Sequence, residues 1–144
     1  MKFSESLAIA LLAWGCSPVL AAETSPVASA NRFAAIGRPA LAVKAPGRSV
    51  LLAGTALPSG RLVCVGERGV VALSDDGGVN WRQAASVPTS VTLAAVKSTP
   101  SGDVFAVGHG GVVVRSSDGG DRWTLVSDGI KLAAAATAQA RALS

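Results

Sequence analysis

From residue 49 onward, short apolar and β-branched runs alternate with turns made of Gly, Ser and Pro. The runs predict strands over 49–55, 61–66, 70–74 and 81–84, with turns at Pro58-Ser59-Gly60 and Glu67-Arg68-Gly69. The same order then recurs, with strands over 91–98, 103–108, 112–116 and 123–126. The runs are continuously apolar instead of strictly alternating, which suits sheets covered on both faces.

The recurrence is a sequence repeat. Residues 53–84 and 95–126 align without a gap, and 14 of the 32 positions are identical. Ala53 matches Ala95, Pro58-Ser59-Gly60 matches Pro100-Ser101-Gly102, and Val65-Gly66 matches Val107-Gly108. A period of about 40–50 residues made of four short strands is that of a propeller blade repeated in tandem. The expected fold class is all-β, with two four-stranded blades over 49–90 and 91–128. Each repeat buries its faces only against neighbours. Two blades do not close a ring, so missing blades or self-association are expected to cover the sheet edges.

The best-matched stretch is Ser74-Asp75-Asp76-Gly77-Gly78-Val79-Asn80-Trp81, with its copy Ser116-Ser117-Asp118-Gly119-Gly120-Asp121-Arg122-Trp123. The shared pattern is S-x-D-x-G-x-x-W. An Asp carboxylate accepts nearby backbone N–H groups, and Gly adopts the positive φ that other residues resist. Ser74 and Ser116 add a second side-chain bond to the backbone. Trp81 and Trp123 would cover the turn and start the returning strand. The structural set is therefore Ser74, Asp76, Gly78, Trp81, Ser116, Asp118, Gly120 and Trp123.

The flanks differ in composition. Residues 1–22 read as a secretory signal peptide, with Lys2 ahead of an apolar run over 7–14 and a small-residue exit at Val19-Leu20-Ala21-Ala22. Gly15 and Pro18 interrupt the uncharged segment, which falls short of the ~20 residues of a membrane span. Cleavage after Ala21 or Ala22 makes the protein periplasmic or secreted. In a second reading, Leu12-Ala13-Trp14-Gly15-Cys16 is a lipoprotein processing box with Cys16 lipidated, a role that Trp14 fits poorly. Residues 23–48 hold no period and form an Ala/Pro-rich lead-in, with a short edge strand expected near 40–43. Residues 129–144 are Ala-rich and predict a helix over 131–143, marginal unless it packs on something.

Thirteen Lys and Arg against nine Asp and Glu give a formal charge of +4. The cations are scattered singly, unlike the clustered footprint of a nucleic-acid binder. Cys64 is expected as a small buried thiol. One His cannot make a zinc site with the single Cys left after cleavage. Asp118 and Asp121 offer too few ligands for a calcium loop. No metal or cofactor is expected. At the turn between the second and third strands of each blade, Glu67-Arg68 corresponds to His109-Gly110. These turns lie opposite the S-x-D-x-G-x-x-W corners, where a propeller varies its contacts. Arg68 and His109 are the candidate partner-binding residues.

The run G-x-x-G-x-V/I-x-x-S-x-D-G-G-x-x-W, standing at Gly66 to Trp81 and at Gly108 to Trp123, resembles the Asp-box or BNR repeat. More closely, it is similar to the photosystem II stability/assembly factor-like family of exported propellers. That resemblance implies a non-enzymatic protein-binding role in assembling or maintaining a membrane complex; photosynthesis enters by the resemblance alone. Family members carry about seven blades, so this chain departs from them. The rival class is a sialidase-like glycosidase, since such enzymes also use Asp-box propellers. Glycoside hydrolysis needs a carboxyl pair or, in sialidases, a Tyr nucleophile. The chain has no Tyr, four of its acids (Asp75, Asp76, Asp118, Asp121) fall in the corners, and Glu67 and Asp103 have no evident partner. A third reading is a truncated product without independent activity.

Overall fold

The computed structural model describes residues 34–143. The signal peptide over 1–22, Cys16 and the first part of the lead-in therefore lie outside the described residues. Two four-stranded antiparallel meanders follow one another, as the repeat predicts. The first contains β1 (Leu51–Ala56), β2 (Leu62–Gly66), β3 (Val71–Ser74) and β4 (Arg82–Gln83). The second contains β5 (Leu93–Ser98), β6 (Val104–Gly108), β7 (Val112–Ser116) and β8 (Thr124–Ser127). The helix α1 (Gly129–Ala142) closes the described chain.

The first strand of each sheet shifts register at a matched place, Leu51/Ala53 and Leu93/Ala95. The repeated Val-Gly explains why. A Cβ on Gly66 would lie 2.0 Å from the Val50 carbonyl oxygen, and one on Gly108 would lie 2.4 Å from that of Thr92. Those carbonyls instead accept the N–H of Glu67 (3.1 Å) and of His109 (3.0 Å). Only glycine lets the two backbones come this close.

Residues directly opposite across a sheet share a face. In the first blade Thr55, Val63, Leu73 and Arg82 form one row and Ala53, Val65 and Val71 another. Both rows belong to the forward face, which receives the second blade. A Cβ on Gly120 would sit 3.0 Å from Leu73 Cδ2 and 3.2 Å from Val63 Cγ2. The second blade meets it with its own rear face, where Ala106 and Val114 are fully buried. This contact is the core: Val63, Val65, Val71, Leu73, Leu93, Val104, Ala106, Val112, Val114 and Trp123 form one apolar cluster.

The described part of the lead-in carries no strand, so the edge strand expected near 40–43 is not formed. Side chains hold it instead. Gln83 Nε2 donates to the Leu41 carbonyl at 2.6 Å and Gln83 Oε1 accepts the Val43 N–H at 2.9 Å. Further along, Pro46 is buried and Gly47 lies against Trp81, where a Cβ would come within 2.8 Å of Cδ1. The lead-in thus covers part of the first blade's rear face. Cys64 lies on that face and is half-buried, more open than expected, because no sheet of the described residues packs there. Burial still pushes its thiol pKa up.

The fourth strands begin one residue later than expected, because each Trp folds back on its corner before pairing starts. The helix starts earlier than predicted. Asp128, buried, caps it by accepting the Lys131 N–H at 2.9 Å. Its first turn rests on the β6–β7 turn, with Gly129 against Gly110 and Gly111; beyond that turn the helix is exposed.

The two tryptophans occupy matched positions but unequal surroundings: Trp123 is 4% exposed, whereas Trp81 is half-buried. Trp123→Ala should therefore cost about 3–5 kcal/mol, as for a large buried aromatic, and Trp81→Ala clearly less. Urea unfolding of the two variants against wild type measures the difference.

Candidate functional site

The two corners make matching sets of bonds. Ser74 Oγ accepts the Gly78 N–H at 2.8 Å and donates to Asp76 Oδ1 at 2.9 Å. Ser116 Oγ accepts the Gly120 N–H at 2.9 Å and donates to Asp118 Oδ1 at 2.8 Å. The carboxylates take the next donors: Asp76 accepts the Asn80 N–H at 2.8 Å, and Asp118 accepts that of Arg122 at 2.9 Å. Gly78 (φ 95°) and Gly120 (φ 92°) turn the chain in the left-handed region. Each indole then donates back, Trp81 Nε1 to the Gly78 carbonyl at 2.9 Å and Trp123 Nε1 to that of Gly120 at 2.7 Å.

The members buried in both corners are the serines, each 1% exposed, while Asp76 and Asp118 face solvent. Hydrogen bonds still hold both carboxyls below the ordinary carboxylate range. For Asp76 the Asn80 backbone N–H acts first, then the Asn80 side chain and Ser74. For Asp118 partial burial pushes the value up, and the bonds from Arg122, Ser116 and Asp121 outweigh it.

Asp75, Asp103 and Asp121 are also engaged. Asp75 accepts Arg61 Nε at 2.6 Å and Nη2 at 3.3 Å. Asp121 accepts Arg82 through both oxygens, one of them at 2.8 Å to Nη2, and Arg61 Nη1 at 3.4 Å. Arg61 also donates to the Gly119 carbonyl at 3.3 Å. Arg82 lowers the Asp121 pKa and has its own raised in turn. Asp75, Arg61, Asp121 and Arg82 thus form a chain of charges that ties the first blade to the second blade's corner. Sequence reasoning missed Arg61 and Arg82. Their signal was a break in the repeat: Arg61 matches Asp103, Arg82 matches Thr124, and Asp121 matches Val79. Asp103, taken to have no evident partner, accepts Arg115 Nη2 at 3.0 Å.

At the other end of the strands, Arg68 and His109 are both exposed, as expected for turn residues. Arg68 adopts φ 55°, ψ 28°, the one left-handed non-glycine among the described residues, where the repeat places Gly110. The lead-in runs alongside: the Leu41 N–H donates to the Arg68 carbonyl at 3.1 Å, and Ile36 lies under Gly110. Arg38, Pro39, Leu41, Arg68 and Ser90 line a hollow of about 330 Å³ here. A larger one of about 450 Å³, between the lead-in and the blade junction, is walled mostly by Ala and Pro residues, with Gln83, Ser86, Val87 and Trp123. It holds no ionisable side chain.

No protein-family model and no curated protein matches the chain. Among solved structures the chain is similar to YCF48 from Cyanidioschyzon merolae, at 22% identity and a TM-score of 0.46. The match covers 60% of this chain and 28% of that one, so the chain spans little more than a quarter of that protein's length.

Two outcomes test the corner. Ser116→Ala leaves the buried Gly120 N–H without its acceptor and should cost about 1–3 kcal/mol, read from urea midpoints; Ser74→Ala should cost less, because Gly78 is only half-buried.

The second outcome concerns acid. Asp76, Asp118 and Asp121 bind a proton less tightly folded than unfolded, where the value is about 3.9. Their contribution is therefore complete above the unfolded value and disappears as pH falls through the lowered folded values. Urea midpoints against pH should drop below about pH 4, and Asp121→Asn should flatten that acid limb.

Proposed function

We propose that this chain is an exported, non-enzymatic protein-binding module of Asp-box propeller type. Its role in this reading is to support assembly or maintenance of a membrane complex, with the β2–β3 and β6–β7 turns as the contact face. The repeat run from Gly66 to Trp81 and from Gly108 to Trp123 supports the Asp-box assignment. The matched serine-centred corners support it too, since their acids serve architecture. Export rests on the signal-like segment over 1–22.

The observation that carries the binding reading is Arg68. A left-handed conformation costs a non-glycine residue about 1–2 kcal/mol, and the neighbouring repeat avoids that cost with Gly110. An exposed arginine kept in a strained turn is accounted for by what its side chain contacts outside the fold.

Arg68→Gly separates the two roles. Releasing the strain should leave stability equal or higher, while capture of the partner falls. A photo-crosslinker at position 68 or 109 should trap a subunit of a membrane complex in the exported fraction, and one at Val79 should not. Equal trapping from all three positions, or turnover of an aryl-glycoside that a single carboxylate substitution abolishes, would end this reading.

A further inference from the structure

The two blades present different forward faces, and the differences fall on the residues that make the junction. In the first blade the forward face carries Arg61, Leu73 and Arg82, and the second blade's corner seats on them through Gly119, Gly120 and Asp121. The matched positions on the second blade's forward face are Asp103, Arg115 and Thr124. Leu73 is fully buried under Gly120, whereas Arg115 is 47% exposed, stacked 6.0 Å from the Phe105 ring and paired with Asp103. The first blade's corner also lacks the acid, with Val79 in place of Asp121.

We infer that the Arg61–Asp121–Arg82 clasp, with Leu73 under Gly120, is a pairing code. It joins the first blade to the second and excludes a further copy of this chain from stacking on the second blade's forward face. Placing a copy there in blade register puts its Gly77 carbonyl against the Asp103 carboxylate, acceptor facing acceptor. Its Gly78 would cover Arg115, desolvating a charge and drawing it away from Asp103. Its Val79 would meet Asp103 and Thr124 where a carboxylate met two arginines. The polar terms of the internal junction are lost or reversed and Leu73 gives way to a charge, while Phe105, Val107 and Val113 keep apolar positions. The face is polar where the corner would seat, at Asp103, Arg115 and Thr124, and apolar further along, where Val107 is 43% exposed. Of the two ways to cover the sheets, missing blades or copies of the chain, the code disfavours copies. The inference rests on the blade geometry and is independent of the proposed function.

The test rebuilds the code on the full chain. Asp103→Arg, Arg115→Leu and Thr124→Arg recreate the first blade's forward face, and Val79→Asp supplies the acid. A heterologous junction of this kind propagates from copy to copy. Light scattering should find the quadruple variant, folded by its near-UV tryptophan signal, at the mass of a dimer or beyond, with wild type monomeric at the same concentration. If that variant does not fold, Arg115→Leu alone is measured and should associate more than wild type. A folded quadruple variant that remains monomeric would overturn the inference. So would wild-type oligomers dissolved by Val79→Glu, which places a second acid beside Asp103.

Discussion

The Ser74 and Ser116 hydroxyls, buried at the ends of β3 and β7, each bind two parts of the chain at once. Each accepts the N–H of the second glycine, orients the Asp two residues on, and so sets the donors that Asp receives. A turn with two consecutive left-handed glycines has little intrinsic rigidity, since glycine loses the most conformational freedom on folding. The hydroxyl and carboxylate bonds offset that loss. The indole then roofs the turn and returns a bond to the glycine carbonyl. Where β4 and β8 begin, and where the next blade's corner meets its neighbour, both follow from this geometry.

How strongly a corner is held depends on what lies behind it. Gly120 presses on Leu73 and Val63, and Trp123 is buried. Among the described residues Gly78 meets only Trp81 and Leu62 of its own blade, and Trp81 gains its cover from Gly47. The lead-in does for the first blade part of what the first blade does for the second. It does so with a proline–glycine turn and the Gln83 side chain instead of a sheet. Leu52, 51% exposed on the same rear face, marks where that cover ends.

The fold was legible because it lies in the identical positions of the repeat. Ser74/Ser116, Asp76/Asp118, Gly78/Gly120 and Trp81/Trp123 specify the corners, and Gly66/Gly108 specify the carbonyl seat at the end of the second strand. All of these interactions are local, so spacing along the chain reports them. The junction was not legible, because Arg61 to Asp121 spans 60 residues and two blades. Spacing says nothing of such a pair until the sheets are set side by side. The lead-in was misjudged for a related reason. Its anchoring through Gln83 uses a side chain in place of a strand ladder, and no periodicity records that.

The non-identical positions divide into two groups with different physical consequences. Arg61/Asp103, Leu73/Arg115 and Arg82/Thr124 alter what each forward face can receive: Arg61 and Arg82 engage Asp121 of the second blade, whereas Asp103 and Arg115 engage each other. Arg68/Gly110 is different, because there the departure introduces strain with no packing gain inside the fold: Arg68 is exposed, and its backbone would relax as glycine. A substitution that improves the fold's own contacts needs no outside explanation, and one that works against them does. By that criterion the forward-face differences belong to assembly of the sheets, and Arg68 is the position on which the proposed partner contact rests. In that proposal one end of the strands holds the blades together and the other is left for a partner.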